Sequence, residues 1–346
     1  MWKSLRHPHT TGAIFRHPFF VLSARRSQYQ ATAVWAWSNT LHRSMPPDRV
    51  VLHINFDETS VPLFKSTHRG HLVSDARKRK RTPRSLHRPF GRAILRTQLT
   101  FVAFVCDSVE VQFHLPQFVL VPNHAMSEDE FIKLQGTLPS CCLLRRLKKA
   151  WVTQSVMLDM IDILETRLRR FSSRYASILY CDAFSPHCAS SVLRRLGALR
   201  IAYCCVPAGL TWALQPCDTH VFRGFKHRLD IEVERRACST AHVNSRVEDV
   251  IFSLHTIIAE FLNMTPWQKA FVDLGLIGHQ RELSDTLRQK LGFPPSTIVV
   301  PPTMVTLQQL ECIFPRGRLM NVDDLFACFF SPLPSSVISS EACLAP

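Results

Sequence analysis

No C-x-x-C pair occurs anywhere in the chain, although it carries 12 cysteines. The paired spacing on which zinc fingers and ribbons depend is therefore missing. Adjacent pairs such as Cys204–Cys205, inside the apolar run I-A-Y-C-C-V, read instead as small buried hydrophobes. No uninterrupted apolar stretch reaches the roughly 18 residues that a membrane span needs. The longer candidates are broken by Arg, His, Asp or Pro, so no membrane partner is expected. There is no convincing secretory signal, which makes a reducing compartment the default. Residues 1–47 lack Asp and Glu altogether while holding six Lys and Arg. That composition overlaps with mitochondrial transit peptides. Pro8, Pro18 and the scattered His argue against a clean amphipathic helix, so residues 1–49 read as a poorly ordered basic leader. No internal repeat is found.

What is present is a core-forming chain with a large positive excess. The 346 residues are 46% apolar, which excludes wholesale disorder. The net charge of +15 points to a polyanionic partner, usually nucleic acid. Much of that charge sits in residues 65–96, where 11 Lys and Arg face one acid, Asp75. Within it, Arg77, Lys78, Arg79, Lys80 and Arg81 are consecutive, so the segment reads as a loop or extended arm. Such a run binds DNA backbone, serves as a nuclear localisation signal, or is simply a solvated loop.

Patterning along the chain predicts an α/β domain over about residues 50–237. Strands are expected at 51–57, at about 60–64 after a turn, at 100–106, and at 111–115 extended by 116–122. Helices are expected at 127–150 and 152–171. Ser127 followed by Glu130 is a capping-box signature. The run at 177–182, a helix over 187–197 and the run at 200–207 form a βαβ unit, followed by a helix over 218–237. Residues 238–346 read as a helical and Pro-rich C-terminal region.

Three acids stand where three separate segments stop being apolar. Asp57 and Asp182 end strand-like runs, and Asp218 opens a helix. Carboxylates at such ends can converge on one cleft while rigid elements hold them. Hard divalent cations take oxygen ligands, and two ions about 3.5–4 Å apart can clamp both oxygens of a phosphodiester displacement. Taken singly, each acid is equally well a surface carboxylate, and Asp218 a helix-start acid.

The flanking residues add to this reading. N-F-D-E-T at 55–59, D-A-F-S-P-H at 182–187, and L-Q-P-C-D at 214–218 followed by F-K at 225–226 stand in one order. Together they resemble the DDE superfamily endonucleases, specifically pogo-like and mariner-like transposases, over about residues 50–235. The resemblance implies an RNase H-like mixed sheet flanked by helices. It implies Asp57, Asp182 and Asp218 as catalytic ligands of Mg²⁺ or Mn²⁺, with DNA as the partner, a nuclear location and room for a homodimer. His187 would sit beside the site. Glu58 follows Asp57 in a strand, points to the opposite face and reads as structural support. Lys226 lies two helical turns after Asp218 and is a candidate phosphate contact or an ordinary exposed lysine. About 50 residues precede the first acid and show no paired-helix pattern, so sequence-specific end recognition is not expected from them. Two functions follow: a metal-dependent DNA nuclease and strand transferase, or an inactive, truncated or domesticated transposon product that binds nucleic acid through its basic surface.

Overall fold

Thirteen consecutive residues, Val50–Pro62, form strand β1 at the centre of a sheet. The structure is a computed structural model of the chain and describes residues 18–63, 98–138, 142–239, 246–277, 283–294 and 305–314. β1 pairs antiparallel with β2 (Gln98–Cys106) on one side and parallel with β5 (Tyr175–Asp182) on the other. With β3 (Gln117–Pro122), β4 (Cys142–Leu147) and β6 (Ile201–Val206), the order is β4-β3-β2-β1-β5-β6. Only β2 runs against the rest. This mixed six-stranded sheet with helices on both faces is the RNase H-like arrangement.

Side-chain alternation assigns the faces. Asn55 pairs with Tyr180, Asp57 with Ala103 and Thr59 with Phe101, so these residues share one face. On it, Phe101 stacks on Phe225 of helix α7 (Phe222–Ser239), ring centroids 4.5 Å apart. The Tyr180 hydroxyl on the same face lies 2.7 Å from Ser38 Oγ of helix α1 (Pro18–Arg43). The opposite face carries Phe56, Glu58 and Phe104. There helix α5 (Ser190–Ala198) covers β6 by burying Val192, Leu193 and Leu196, with α4 (Gln154–Leu168) packed beside it.

The expected elements need four corrections. The runs at 51–57 and 60–64 are one strand without a turn, because β2 pairs along it from Ile54 to Pro62. Residues 109–112 are a short helix, α2 (Val109–Gln112), and the strand after it is β3. Only Glu128–Thr137 of the expected 127–150 helix is helical, as α3, with the capping box of Ser127 and Glu130 in place. Leu138, before Pro139, is extended, as a residue preceding proline prefers, and Cys142–Leu147 then pairs with β3 as a strand. Finally, much of the supposed leader is core. α1 buries Ala31, Ala33, Val34, Trp35, Ala36, Trp37 and Leu41. Trp35 Nε1 donates to the Leu274 carbonyl and Trp37 Nε1 to that of Tyr203, both at 2.9 Å.

The C-terminal helices join the same core. α8 (Arg246–Ile257) runs along α7, and α11 (Leu307–Ile313) packs on α1. Cys204 and Cys205 are fully buried free thiols. No helix among the described residues is long and apolar enough to cross a membrane.

Candidate active site

The site lies where β1 and β5 part. Their pairing ends at Asn55 with Tyr180, and β1 continues beside β2 alone. Two residues further along each strand stand Asp57 and Asp182, level in the continued register of neighbouring strands. Parallel strands lie about 4.8 Å apart, so both acids belong to one edge. Asp57 is therefore not at the end of its strand, as its sequence suggested, but at the point where β1 loses its second neighbour.

Asp218 arrives by a different device. The Asn55 side chain is fully buried and joins all three acid-bearing segments. Its Oδ1 accepts from the Cys217 N–H at 2.8 Å, one residue before Asp218. Its Nδ2 donates to the Tyr180 carbonyl at 2.9 Å, two residues before Asp182, and to that of Phe56 at 3.3 Å. Gln215, also fully buried, donates from Nε2 to the same Phe56 carbonyl at 3.3 Å. Pro216 follows, and the Cys217–Val221 turn sets Asp218 at the entry of α7.

The electrostatics are unbalanced. Burial pushes the Asp57 carboxyl well above the ordinary carboxylate value, and the charge of Asp218 adds to the rise. The Glu58 N–H, bonded to Asp57 Oδ1 at 2.8 Å, opposes it, while Glu58 and Asp182 raise it further. Asp218 is also raised, first by partial burial and then, against a hydrogen bond from Thr211, by Asp182; Lys226 lowers it. The acids oppose one another's ionisation at Asp57 and Asp218, and oxygen donors with excess negative charge are what a hard divalent cation would offset. Among the described residues, no group of three or more His, Cys, Asp or Glu stands close enough to ligate an ion as placed.

Behind Asp182 lies a buried bridge. His187 Nδ1 is 2.6 Å from Asp182 Oδ1, and its Nε2 is 3.1 Å from Glu58 Oε1. Burial alone would lower the imidazole, but the two carboxylates outweigh it and hold it at about 10. At neutral pH His187 is thus an imidazolium donating from both nitrogens. Its ring meets Phe56 edge-on at 4.9 Å between centroids. Asp182 Oδ1 also accepts from the Phe184 N–H at 3.2 Å, whereas its Oδ2 has no hydrogen bond among the described residues. Glu58, on the face away from Asp57, reaches Asp182 only through His187.

Lys226 is exposed on α7, near enough to Asp218 for its charge to be felt there. Arg77, Lys78, Arg79, Lys80 and Arg81 lie outside the described residues. Sequence reasoning missed Asn55, Gln215 and Thr211 as parts of the site. A signal was available for the first two: each is an uncharged polar residue inside an apolar run, and buried amides demand partners.

The family model for the DDE superfamily endonuclease matches residues 98–269, a span that holds Asp182 and Asp218 and begins after Asp57. No curated protein matches the chain. Among solved structures, the chain is similar to a Mos1 transposase paired-end complex with left transposon end. The identity is 13% over 80% of this chain and 67% of that one, with a TM-score of 0.34. The Mos1 mariner paired end complex with Mn matches at 14% identity over 80% and 68% of the two chains, TM-score 0.35. The catalytic domain of Mos1 mariner transposase matches at 13% identity over 72% and 94%, TM-score 0.34.

Proposed function

Residues 98–269 of this chain belong to the DDE superfamily endonucleases, and on that premise we propose a transposase-type, metal-dependent DNA nuclease of the mariner-like or pogo-like kind, with Asp57, Asp182 and Asp218 as its metal ligands. One observation carries the reading: the buried Asn55 side chain ties together the three segments that bear Asp57, Asp182 and Asp218, bonding the Tyr180 carbonyl two residues before Asp182 and the Cys217 N–H one residue before Asp218. Mg²⁺ or Mn²⁺ bound there, as one ion or a pair, would supply charge to the scissile phosphate and a more acidic water or 3′-hydroxyl.

The chain's own groups divide the remaining work. Asp57 is the rigid ligand, buried and fixed by the Glu58 N–H. Asp182 is held by His187 through Oδ1, so the carboxylate is oriented to serve as a ligand were a metal bound. Asp218 stands exposed at the entry of α7, on the side open to substrate. Lys226 takes a backbone phosphate beside it. The basic 65–96 segment adds sequence-tolerant affinity for DNA, in keeping with the net charge of +15.

The test is nicking of supercoiled plasmid in Mg²⁺ by the wild type and by Asp182→Asn, with folding checked by circular dichroism. Asparagine keeps the shape and the acceptor toward Phe184 but removes the charge and one oxygen. Nicking by the wild type and its loss in the folded variant are expected. Equal rates would overturn the ligand assignment. A wild type that binds DNA without nicking it in Mg²⁺ or Mn²⁺ would leave the binding-only transposon product as the function.

A further inference from the structure

We propose that Cys188 and Cys205 form a reversible disulfide under peroxide, and that closing it draws His187 away from Asp182. The modification is made on the chain itself and does not depend on the nuclease reading.

The two thiols meet under α5, on the sheet face that carries Phe56 and Glu58. Cys205 pairs with Cys181 in the β5–β6 register, one step before the pair of Asp182 with Val206. Tyr203, two residues back in β6, shares that face by strand alternation. Cys188 directly follows His187 and lies in the 183–189 segment ahead of α5. Its Sγ is 3.9 Å from Cys205 Sγ and 3.3 Å from the Tyr203 hydroxyl. The sulfurs already touch, and bonding them shortens that separation to about 2.05 Å. The new bond would join the residue after His187 to the residue before Val206, the strand partner of Asp182. His187 Nδ1 now stands 2.6 Å from Asp182 Oδ1. A shift of about 1 Å at the His187 backbone takes that contact beyond hydrogen-bond range.

The surroundings favour reaction at Cys188. The hydrogen bond from Cys205 brings the Cys188 thiol down to about 7 against burial, and Tyr203 and the charge of His187 assist. The same bond pushes Cys205 up, so one proton stays on that sulfur. Cys204 is the contrasting case. It pairs with Tyr180, alternation turns it to the other face, and burial alone pushes its thiol up. A thiolate beside an imidazolium is the reactive form of cysteine, whereas a thiol buried among apolar groups is inert.

The Cys188 thiolate attacks one oxygen of hydrogen peroxide. The O–O bond breaks, the leaving hydroxide takes a proton to become water, and Cys188 becomes a sulfenic acid. Cys205 sulfur then attacks Cys188 sulfur. The S–O bond breaks, and the second hydroxide leaves as water with the Cys205 proton. Two electrons pass from the thiols to the peroxide, and a dithiol reductant returns them. Burial restricts the oxidant to a small neutral molecule that enters as the 183–189 segment opens. That segment has neither helix nor strand to hold it.

The experiment treats the full chain with hydrogen peroxide and then with dithiothreitol. Oxidation should remove the mass of two hydrogens, and peptide mapping should place the bond between Cys188 and Cys205. In a histidine-labelled sample, the His187 ring N–H on Asp182 should resonate far downfield, be lost on oxidation, and return on reduction. Nicking should fall about 10- to 100-fold with it, as when a group orienting a ligating carboxylate is lost, and recover with the reductant. Cys188→Ser and Cys205→Ala should each form no such bond and keep the His187 signal in peroxide. Cys204→Ala should behave as the wild type. All thiols remaining free, a bond mapped to other cysteines, or a Cys188–Cys205 bond with the His187 signal unmoved would overturn the proposal. A wild type that never nicks under reductant would overturn the nuclease reading and leave the disulfide to stand on the mass and the His187 signal.

Discussion

His53 of β1 and His187, which packs against that strand, both touch carboxylates, yet the two surroundings differ in how many acids they gather. His53 Nδ1 lies 2.7 Å from Asp107 Oδ2, and Asp107 Oδ1 accepts the His53 N–H at 3.1 Å. Tyr180 and His42 stack beside the ring, with centroids at 6.0 and 5.9 Å. One acid meets one histidine there, and the wall around them is aromatic. His187 instead bridges two acids, Asp182 and Glu58, and two further acids, Asp57 and Asp218, stand in the same electrostatic neighbourhood. The first arrangement sets one imidazole against one carboxylate, with His53 Nε2 buried and unbonded on the far side of the ring. The second leaves surplus negative charge, one acid of it buried, which a bound cation would offset. Surplus of this kind marks a working site better than the presence of a buried ion pair does.

Substitutions at matched positions test that contrast. Asp57→Asn should cut Mg²⁺-dependent nicking by about 10³-fold, the several kcal/mol that metal charge supplies to the transition state. The same change should not lower the melting temperature of the metal-free protein. A carboxyl held above its ordinary value is charged at a cost to the fold, and asparagine carries no charge at any pH. A variant that melts well below the wild type would mean that Asp57 is structural, like Asp107.

Asn55→Ala comes next. Three hydrogen bonds and a fully buried side chain are lost, so unfolding should become easier by about 2–4 kcal/mol. Nicking per folded molecule should fall as well, because the turn before Asp218 is untied from β1. Chemical denaturation and nicking at matched folded fraction separate the two effects. Unchanged nicking per folded molecule would show that Asn55 only packs. Asp107→Asn is the counterpart on the His53 side. It should cost about 1–2 kcal/mol of stability, since a charge-assisted bond becomes a neutral one, and leave nicking per folded molecule unchanged.

How much of this could be read from the chain depended on how local the cause was. The β5-α5-β6 unit was legible because its strands and helix are consecutive and each carries its own period. β1 was misread at Ser60 and Pro62, where polar and proline residues imitate a turn. Its partner for those residues is β2, reached only across the 64–97 segment, so nothing nearby announces the pairing. α1 was misread for the same reason: Trp35 and Trp37 find their acceptors at Leu274 and Tyr203. At the site, the acids stood out through their charge and flanking residues. The tie that gathers them did not, because an amide joining β1, β5 and the turn before α7 has meaning only once those segments meet. The Glu58–His187–Asp182 bridge was half legible: strand alternation turns Glu58 away from Asp57, but not toward His187.

The smallest effect expected is at Lys226, and it separates a working lysine from a solvating one. Lys226 is exposed on α7 and its charge reaches Asp218. Arg228, exposed on the same helix, already has an occupant, with its guanidinium 4.8 Å from the Phe261 ring centroid. A cation on phosphate releases counterions when DNA binds, and each such contact contributes about 0.9 to the slope of log affinity against log salt. Lys226→Ala should therefore lower that slope by about 0.9 on duplex DNA, while Arg228→Ala should leave it within error of the wild type. Both variants should remain folded, because neither residue is buried. The slope is the informative quantity, since affinity at one salt concentration would move only modestly against the many positive charges elsewhere in the chain. If Lys226→Ala leaves the slope unchanged, the lysine belongs to the solvated face of α7, and phosphate binding at this edge falls to the metal alone.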